Sequence, residues 1–145
     1  MKNPCLEDQD PRQLGPLTLA FVGDAVFELL VRGRLVRRGD RPVSELHRLS
    51  VREVCCGAQA RAAQTLLPLL TEDEKEVFRR GRNAHPGHVP KNADNAEYHA
   101  ATGLEAVFGY LYLRGGLERL RALYGALGGQ AVGEGGNEDA AGPQE

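Results

Sequence analysis

Apolar residues recur at helical spacing along the chain, in segments separated by short stretches that contain glycine or proline. Near-continuous apolar sequence from about Leu17 to Val36 predicts a long first helix, which ends before Gly39 and Pro42. Further helices are predicted over 45–67 with Ser44 as cap and a break near residue 50, and over 71–82, 94–113 and 117–127. No segment has the alternation of a strand. The prediction is therefore an all-α fold, a single bundle of about six helices.

The ends of the chain differ in composition from this helical body. Residues 1–14 are predicted to be a flexible lead-in, 15–128 the folded domain, and 129–145 a disordered tail rich in glycine and acidic residues. No apolar run is long enough to span a membrane and no signal segment is recognisable, which predicts a cytoplasmic protein. Three cysteines without a CxxC pair favour neither a disulfide framework nor a zinc site.

The net charge of −2 hides an uneven distribution. Residues 130–145 carry four acidic and no basic side chains, so the rest of the chain is weakly basic. Eight arginines lie between Arg32 and Arg61, against three acidic residues. Such local clustering is typical of a nucleic-acid footprint, and a solvated helix face explains it equally well.

Two carboxylates occupy unexpected places in this pattern. Asp24 lies in the apolar first helix, and Glu105 is the only charge in the middle of a second apolar helix. An ionised carboxylate in such surroundings is costly unless it is paired, hydrogen-bonded or bound to a cation. Gly23 and Gly103 lie close to these residues, and a mid-helix glycine suggests a packing reason. We expect the two helices to approach closely and to bring Asp24 and Glu105 together.

Two interpretations of the carboxylate pair remain open from the residues alone. Mg²⁺ or Mn²⁺ suits facing carboxylates, because these ions take oxygen ligands and keep several waters and substrate phosphates. The alternative is a salt bridge to a buried arginine such as Arg32 or Arg48. Glu28, four residues after Asp24, is either a further ligand or, more simply, the ion-pair partner of Arg32. The spacing of His85, His88 and His99 does not support a zinc site.

Four sequence blocks carry a resemblance to a known family. They lie in order at residues 19–28, 79–84, 90–94 and 101–113, and the first contains the sequence Gly-Asp-Ala around Asp24. They resemble the ribonuclease III catalytic domain, and in particular its short branch without an attached double-stranded-RNA-binding domain, Mini-ribonuclease III. The resemblance covers about residues 15–127.

The resemblance implies an all-helical homodimer that hydrolyses double-stranded RNA with Mg²⁺, for which Mn²⁺ can substitute, and leaves 5′-phosphate ends. The implied substrate is the precursor of 23S, large-subunit, ribosomal RNA. Asp24 and Glu105 match the family's catalytic, metal-binding carboxylates. Leu17, Ala20 and Thr102 stand where the larger family has further carboxylates, which implies a reduced centre with one firmly held metal.

A basic segment is expected to contact the RNA. Duplex RNA is recognised mainly through its shape, phosphates and 2′-hydroxyls. The predicted contacts lie at a helix end and in the Gly/Pro-containing loop that follows: Arg79, Arg80, Arg82, Asn83, Lys91 and Asn92. Each arginine alternatively caps helix carbonyls or pairs with Glu74 or Glu76. The rival functions are a non-catalytic RNA-binding module and a helical scaffold with buried ion pairs.

Overall fold

The computed structural model describes residues 10–84 and 95–128. Within these two ranges all regular secondary structure is helical and there is no strand, which confirms the all-α prediction. Two short 3₁₀ turns, Pro11–Gln13 and Leu67–Leu69, accompany six α-helices. The helices are α1 (Pro16–Arg38), α2 (Val43–Val54), α3 (Cys56–Leu66), α4 (Glu72–Asn83), α5 (Asn95–Leu113) and α6 (residues 117–128).

Helix α5 is the centre of the fold. It packs against α1, α3 and α4, and every residue from Ala101 to Leu111 is buried except Glu105. A helix that is apolar all round is stable in water only when neighbours cover all its faces. The side chains around it with the least exposure include Leu19, Val31, Leu66, Val77 and Leu123.

Two helix boundaries differ from the predictions. Helix α2 begins at Val43 directly after Pro42, so Ser44 is not its cap. The helix also continues through Ser50 and ends at Val54, because the Ser50 hydroxyl is buried and donates to the carbonyl of His47 in its own helix at 2.8 Å. The break comes at Cys55, whose backbone is extended.

The start of α4 follows the predicted capping box. The Thr71 hydroxyl accepts from the backbone N–H of Glu74 at 3.2 Å, and the Glu74 carboxylate accepts from the backbone N–H of Thr71 at 2.9 Å. Two otherwise unpaired N–H groups are satisfied in this way. Glu74 also joins α4 to α6, since the Arg119 guanidinium donates to both of its oxygens at 2.9 Å.

The segment before α1 is more ordered than predicted. Residues 10–14, assigned above to a flexible lead-in, contain the 3₁₀ turn with Pro11 buried. Arg80 on α4 holds this turn by donating to the carbonyls of Arg12 and Leu14 at 3.1 and 3.2 Å. Residues 1–9 and the tail over 129–145 lie outside the described residues. No helix in the described ranges has the length and apolarity needed to cross a membrane.

Candidate active site

The site is built where α1 and α5 cross with their backbones in contact. A Cβ atom on Gly23 would overlap the carbonyl oxygen of Glu105, and one on Gly109 would overlap the carbonyl oxygen of Leu19. Only glycine permits such an approach. The predicted close packing at Gly23 is therefore confirmed.

The predicted role of Gly103 is wrong, and Gly109 takes that role instead. Gly103 faces α4, where an added Cβ would lie 2.9 Å from Cε2 of Phe78. Gly109 is four residues after Glu105 and therefore on the same side of α5, which faces α1. Glycines on both faces of α5 let two helices pack closely against it.

The crossing brings Asp24 and Glu105 together, as predicted. Glu105 is largely buried, and burial first, then the negative charge of Asp24, raise the pKa of Glu105 to about 8. The amide of Gln59 acts in the opposite direction and favours the ionised form of Glu105. The pair thus places a largely buried carboxyl group, whose ionisation is disfavoured, directly beside a second carboxyl group.

Asp24 itself is exposed, which corrects the expectation that α1 buries it on all sides. The apolar pattern suggested that α1 is buried on all sides. One of its apolar sides nevertheless faces solvent in this chain. Leu17, Phe21 and Leu29 are 39%, 80% and 69% exposed. Asp24 lies at the edge of this open side, next to the Gly23 contact.

The ion-pair alternative finds no support among the described residues. Within them, neither Asp24 nor Glu105 forms a salt bridge, and Arg32 pairs with Glu28 at 2.7 Å, as the simpler interpretation of Glu28 predicts. In the same residues no group of three or more His, Cys, Asp or Glu side chains is arranged to hold a metal. The centre that the described residues form is thus a pair of carboxylates. His85 and His88 lie outside the described residues.

The three positions that depart from the larger family supply no carboxylate here. Leu17 is exposed, Ala20 is packed in the core, and the Thr102 hydroxyl donates to the carbonyl of Tyr98 at 2.9 Å. Thr102 therefore satisfies its hydroxyl within α5. These three positions therefore add no acidic side chain beside Asp24 and Glu105.

Gln59 is a residue of this site that the sequence reasoning missed. It lies on α3, is 3% exposed, and its side-chain amide is the group that favours ionised Glu105. A signal was present in the sequence. Gln59 occupies the same helical stripe as Ala62, Ala63 and Leu66, so a polar side chain stands where the pattern requires an apolar one.

The residues predicted to contact RNA differ from one another in their surroundings. Arg79 is paired with Glu76 at 2.6 Å and Arg80 holds the 3₁₀ turn, which are the alternatives left open above. Arg82 and Asn83 are exposed at the end of α4. Lys91 and Asn92 lie outside the described residues.

The end of α4 packs against the turn of α5 that contains Glu105. A Cβ on Gly81 would lie 2.8 Å from the Cβ of Ala106 and 3.1 Å from the carbonyl oxygen of Thr102. Ala106 is the immediate neighbour of Glu105. The exposed Arg82 and Asn83 therefore follow directly on a residue packed against the Glu105 turn of α5.

Comparisons with known proteins agree with this geometry. The Ribonuclease III domain family matches residues 17–116. The chain belongs to the ribonuclease III family. It is 54% identical over 111 residues to the Mini-ribonuclease 3 of Symbiobacterium thermophilum, an alignment that covers 77% of this chain and 85% of that protein. For the Mini-ribonuclease 3 of Brevibacillus brevis the identity is 46% over 112 residues, with 77% and 84% covered.

A solved structure supports the same assignment. The crystal structure of a Fusobacterium nucleatum protein superposes with a TM-score of 0.75 at 28% identity and covers 83% of this chain and 98% of its own. The chain is thus an endoribonuclease of the ribonuclease III type, in the Mini-ribonuclease 3 branch, and acts on double-stranded RNA. Enzymes of this family generally depend on Mg²⁺. The maturation of 23S ribosomal RNA ends, expected above, fits the branch.

Proposed function

We propose that Asp24 and Glu105 together hold the catalytic divalent ion of this ribonuclease. The observation that carries the proposal is the forced proximity of two carboxylates that have no cationic partner among the described residues. Backbone contact between α1 and α5 keeps them together although like charges repel. A cation between them relieves this repulsion.

The donor set fits Mg²⁺, with Mn²⁺ as a substitute. Carboxylate oxygens are the ligands that hard divalent cations prefer, and Mg²⁺ is commonly held by one or two carboxylates together with water and substrate phosphate. The buried Gln59 amide nitrogen, which has no hydrogen-bond partner among the described groups, adds a donor beside Glu105. Two protein ligands leave most of the coordination sphere to water and RNA.

The residues of the site have separate tasks in phosphodiester hydrolysis. When bound, the ion supplies Lewis-acid polarisation of the scissile phosphate and lowers the pKa of a water molecule. Asp24, on the exposed side of α1, is the ligand that faces the incoming RNA. Glu105 is the rigid ligand, because its backbone is locked against Gly23. An ion held there would require ionised Glu105, so metal binding would be favoured as the pH rises.

The end of α4 is proposed to bind the RNA backbone next to this pair. Arg82 and Asn83 are the exposed members of the predicted set and adjoin the Glu105 turn. Arg79, Arg80, Lys91 and Asn92 remain predictions of RNA contact. The precursor of 23S ribosomal RNA is the proposed substrate, and a cytoplasmic location goes with it.

A homodimer is proposed through the open apolar side of α1. Phe21, Leu29 and Val36 are 80%, 69% and 55% exposed, and a run of exposed apolar side chains on one helix is typical of an interaction surface. A second copy that covers this surface would place two active sites in one particle. Sedimentation equilibrium tests this: Phe21→Arg should be monomeric, while Leu69→Arg, at an exposed apolar residue in the 3₁₀ turn after α3, should sediment like the wild type.

The experiment that tests the catalytic proposal is a cleavage assay on a purified duplex RNA with Mg²⁺, Mn²⁺ or EDTA, read on a denaturing gel. We expect Asp24→Asn and Glu105→Gln each to lower kcat by at least about 10³-fold, since each removes a ligand of the ion. Glu118→Gln, at an exposed acid on α6, is the control. Full Mg²⁺-dependent cleavage by Asp24→Asn would exclude the proposed role. A duplex stem of precursor 23S RNA and an unrelated duplex of equal length test the substrate.

A further inference from the structure

Helix α3 brings one polar side chain to the apolar surface that it shares with α5. Gln59 is 3% exposed, and its neighbours on that face of α3 are Ala62, Ala63 and Leu66. The side-chain nitrogen Nε2 is fully buried and has no hydrogen-bond partner among the described groups. A buried N–H without a partner costs free energy, so an apolar side chain of similar length would pack here more favourably.

The group that this amide faces is the Glu105 carboxylate. The side-chain amide of Gln59 lies within hydrogen-bonding reach of the Glu105 carboxyl group. It nevertheless does not complete a hydrogen bond, as the unpaired nitrogen shows. A buried, unpaired donor therefore lies next to a carboxyl group whose backbone is held in place by the α1–α5 contact.

We propose that Gln59 is a positioning residue of the metal centre, whose side-chain amide donates to one Glu105 oxygen and leaves the other for the divalent ion. This inference rests on the metal site proposed above. Gln59 is not a metal ligand in this assignment and does not touch the substrate. Its task is to fix the rotation of the Glu105 carboxylate about its last side-chain bond.

The chemistry of metal sites favours this role. A ligating carboxylate is usually held from behind by a hydrogen-bond donor, and loss of that donor typically weakens metal affinity or activity about 10–100-fold. A centre with only two carboxylates among its described residues depends strongly on such orientation, because no third ligand fixes the ion. Gln59 is the polar side chain of α3 that is placed to provide it.

The test compares Gln59→Met with Gln64→Met, a substitution of the same kind at an exposed glutamine on the same helix. Mn²⁺ binding is followed by electron paramagnetic resonance without RNA, and thermal unfolding is followed in EDTA. We expect about 10–100-fold weaker Mn²⁺ binding for Gln59→Met, with unfolding in EDTA at the wild-type temperature or above it. The kcat falls while the KM for duplex RNA stays unchanged. Gln64→Met should match the wild type in every measurement.

Mn²⁺ affinity and stability in EDTA together distinguish a positioning residue from a packing residue. A positioning residue predicts lower affinity with unchanged or higher stability, whereas a packing residue predicts lower stability. Wild-type Mn²⁺ affinity in Gln59→Met overturns the inference, and so does a loss of stability in EDTA that accompanies the loss of affinity. Gln59→Leu is the second variant, and if neither variant folds, Gln59 is a packing residue and the inference is also overturned. Asp24→Asn in the same titration tests the metal site itself. Unchanged binding there rejects the proposed function, whereas lost binding there with normal binding in Gln59→Met rejects the role of Gln59 alone.

Discussion

Glu74 on α4 and Glu105 on α5 both lose most of their contact with water in this fold. They differ in the groups that surround their carboxylates. Glu74 receives two hydrogen bonds from Arg119 and one from the backbone of Thr71. Glu105 instead has a second carboxylate, Asp24, beside it and an amide that does not complete a hydrogen bond. The protein satisfies the first charge internally and supplies no ion-pair partner for the second among the described residues.

The pKa values of the two carboxyl groups differ in the same way. Burial raises the pKa of Glu74, but the Arg119 and Thr71 hydrogen bonds outweigh burial, so the pKa lies below its usual value. For Glu105 burial and Asp24 act in the same direction, and the pKa rises to about 8. A buried carboxylate is therefore a sign of function only when its partners are considered as well.

The largest effect is expected from the contact that forces Asp24 and Glu105 together. In Gly23→Ala the new Cβ overlaps the Glu105 carbonyl and lies 2.8 Å from the Gly109 nitrogen, and no side-chain rotation relieves a backbone clash. We expect the free energy of unfolding to fall by at least about 4 kcal/mol, measured by urea denaturation followed by circular dichroism. Gly125→Ala is the control, because its Cβ meets open space on α6, and should gain about 0.5–1 kcal/mol. A near-normal Gly23→Ala would mean that packing does not impose the carboxylate pair.

The second largest effect on stability is expected at Glu74, the carboxylate that has hydrogen-bond partners within the protein. Glu74→Gln breaks a buried pair and leaves Arg119 partly unpaired, so we expect a loss of about 3 kcal/mol in the free energy of unfolding. Glu72→Gln, two residues earlier, removes only an exposed ion pair with Lys75 and should change stability by less than about 0.5 kcal/mol. Equal effects in the two variants would show that the Glu74–Arg119 pair is not structural.

The pH dependence of stability sharpens the same point. Because the folded pKa of Glu74 lies below its unfolded value, ionised Glu74 stabilises the fold above the unfolded pKa, and this contribution is lost as the pH falls through the folded pKa. The difference in melting temperature between wild type and Glu74→Gln should therefore be full at neutral pH and shrink as the pH falls through the folded pKa of Glu74. A difference that is constant with pH would point to packing rather than to charge.

Much of this fold follows from local signals in the sequence. Thr71 and Glu74 form the predicted capping box, and the apolar periodicity places the six helices within a few residues of their observed ends. The exception around Ser50 arose because a serine hydroxyl has two uses, as a cap or as a donor to its own helix. Only the tertiary environment decides between them.

The site was predictable in its two carboxylates and not in what surrounds them. The pattern shows that α1 is apolar on several sides but not which side faces the core, so the exposure of Asp24 could not be anticipated. It shows glycines near the carboxylates but not which helix each one meets, and Gly109 was missed. Gln59 belongs to a helix distant in sequence from both Asp24 and Glu105, so only packing reveals its role.

The smallest expected change in the free energy of unfolding is a gain rather than a loss, and it comes from Glu105. Glu105→Gln removes a carboxyl group whose ionisation burial and Asp24 oppose, so in EDTA we expect a gain of about 1 kcal/mol in the free energy of unfolding at neutral pH, together with loss of Mg²⁺-dependent cleavage. Glu118→Gln on α6 should change neither. Stabilisation by Glu105→Gln next to destabilisation by Glu74→Gln is what a binding site and a structural ion pair predict for the same chemical substitution. Destabilisation by both would assign Glu105 a structural hydrogen bond and remove the contrast on which the metal site rests.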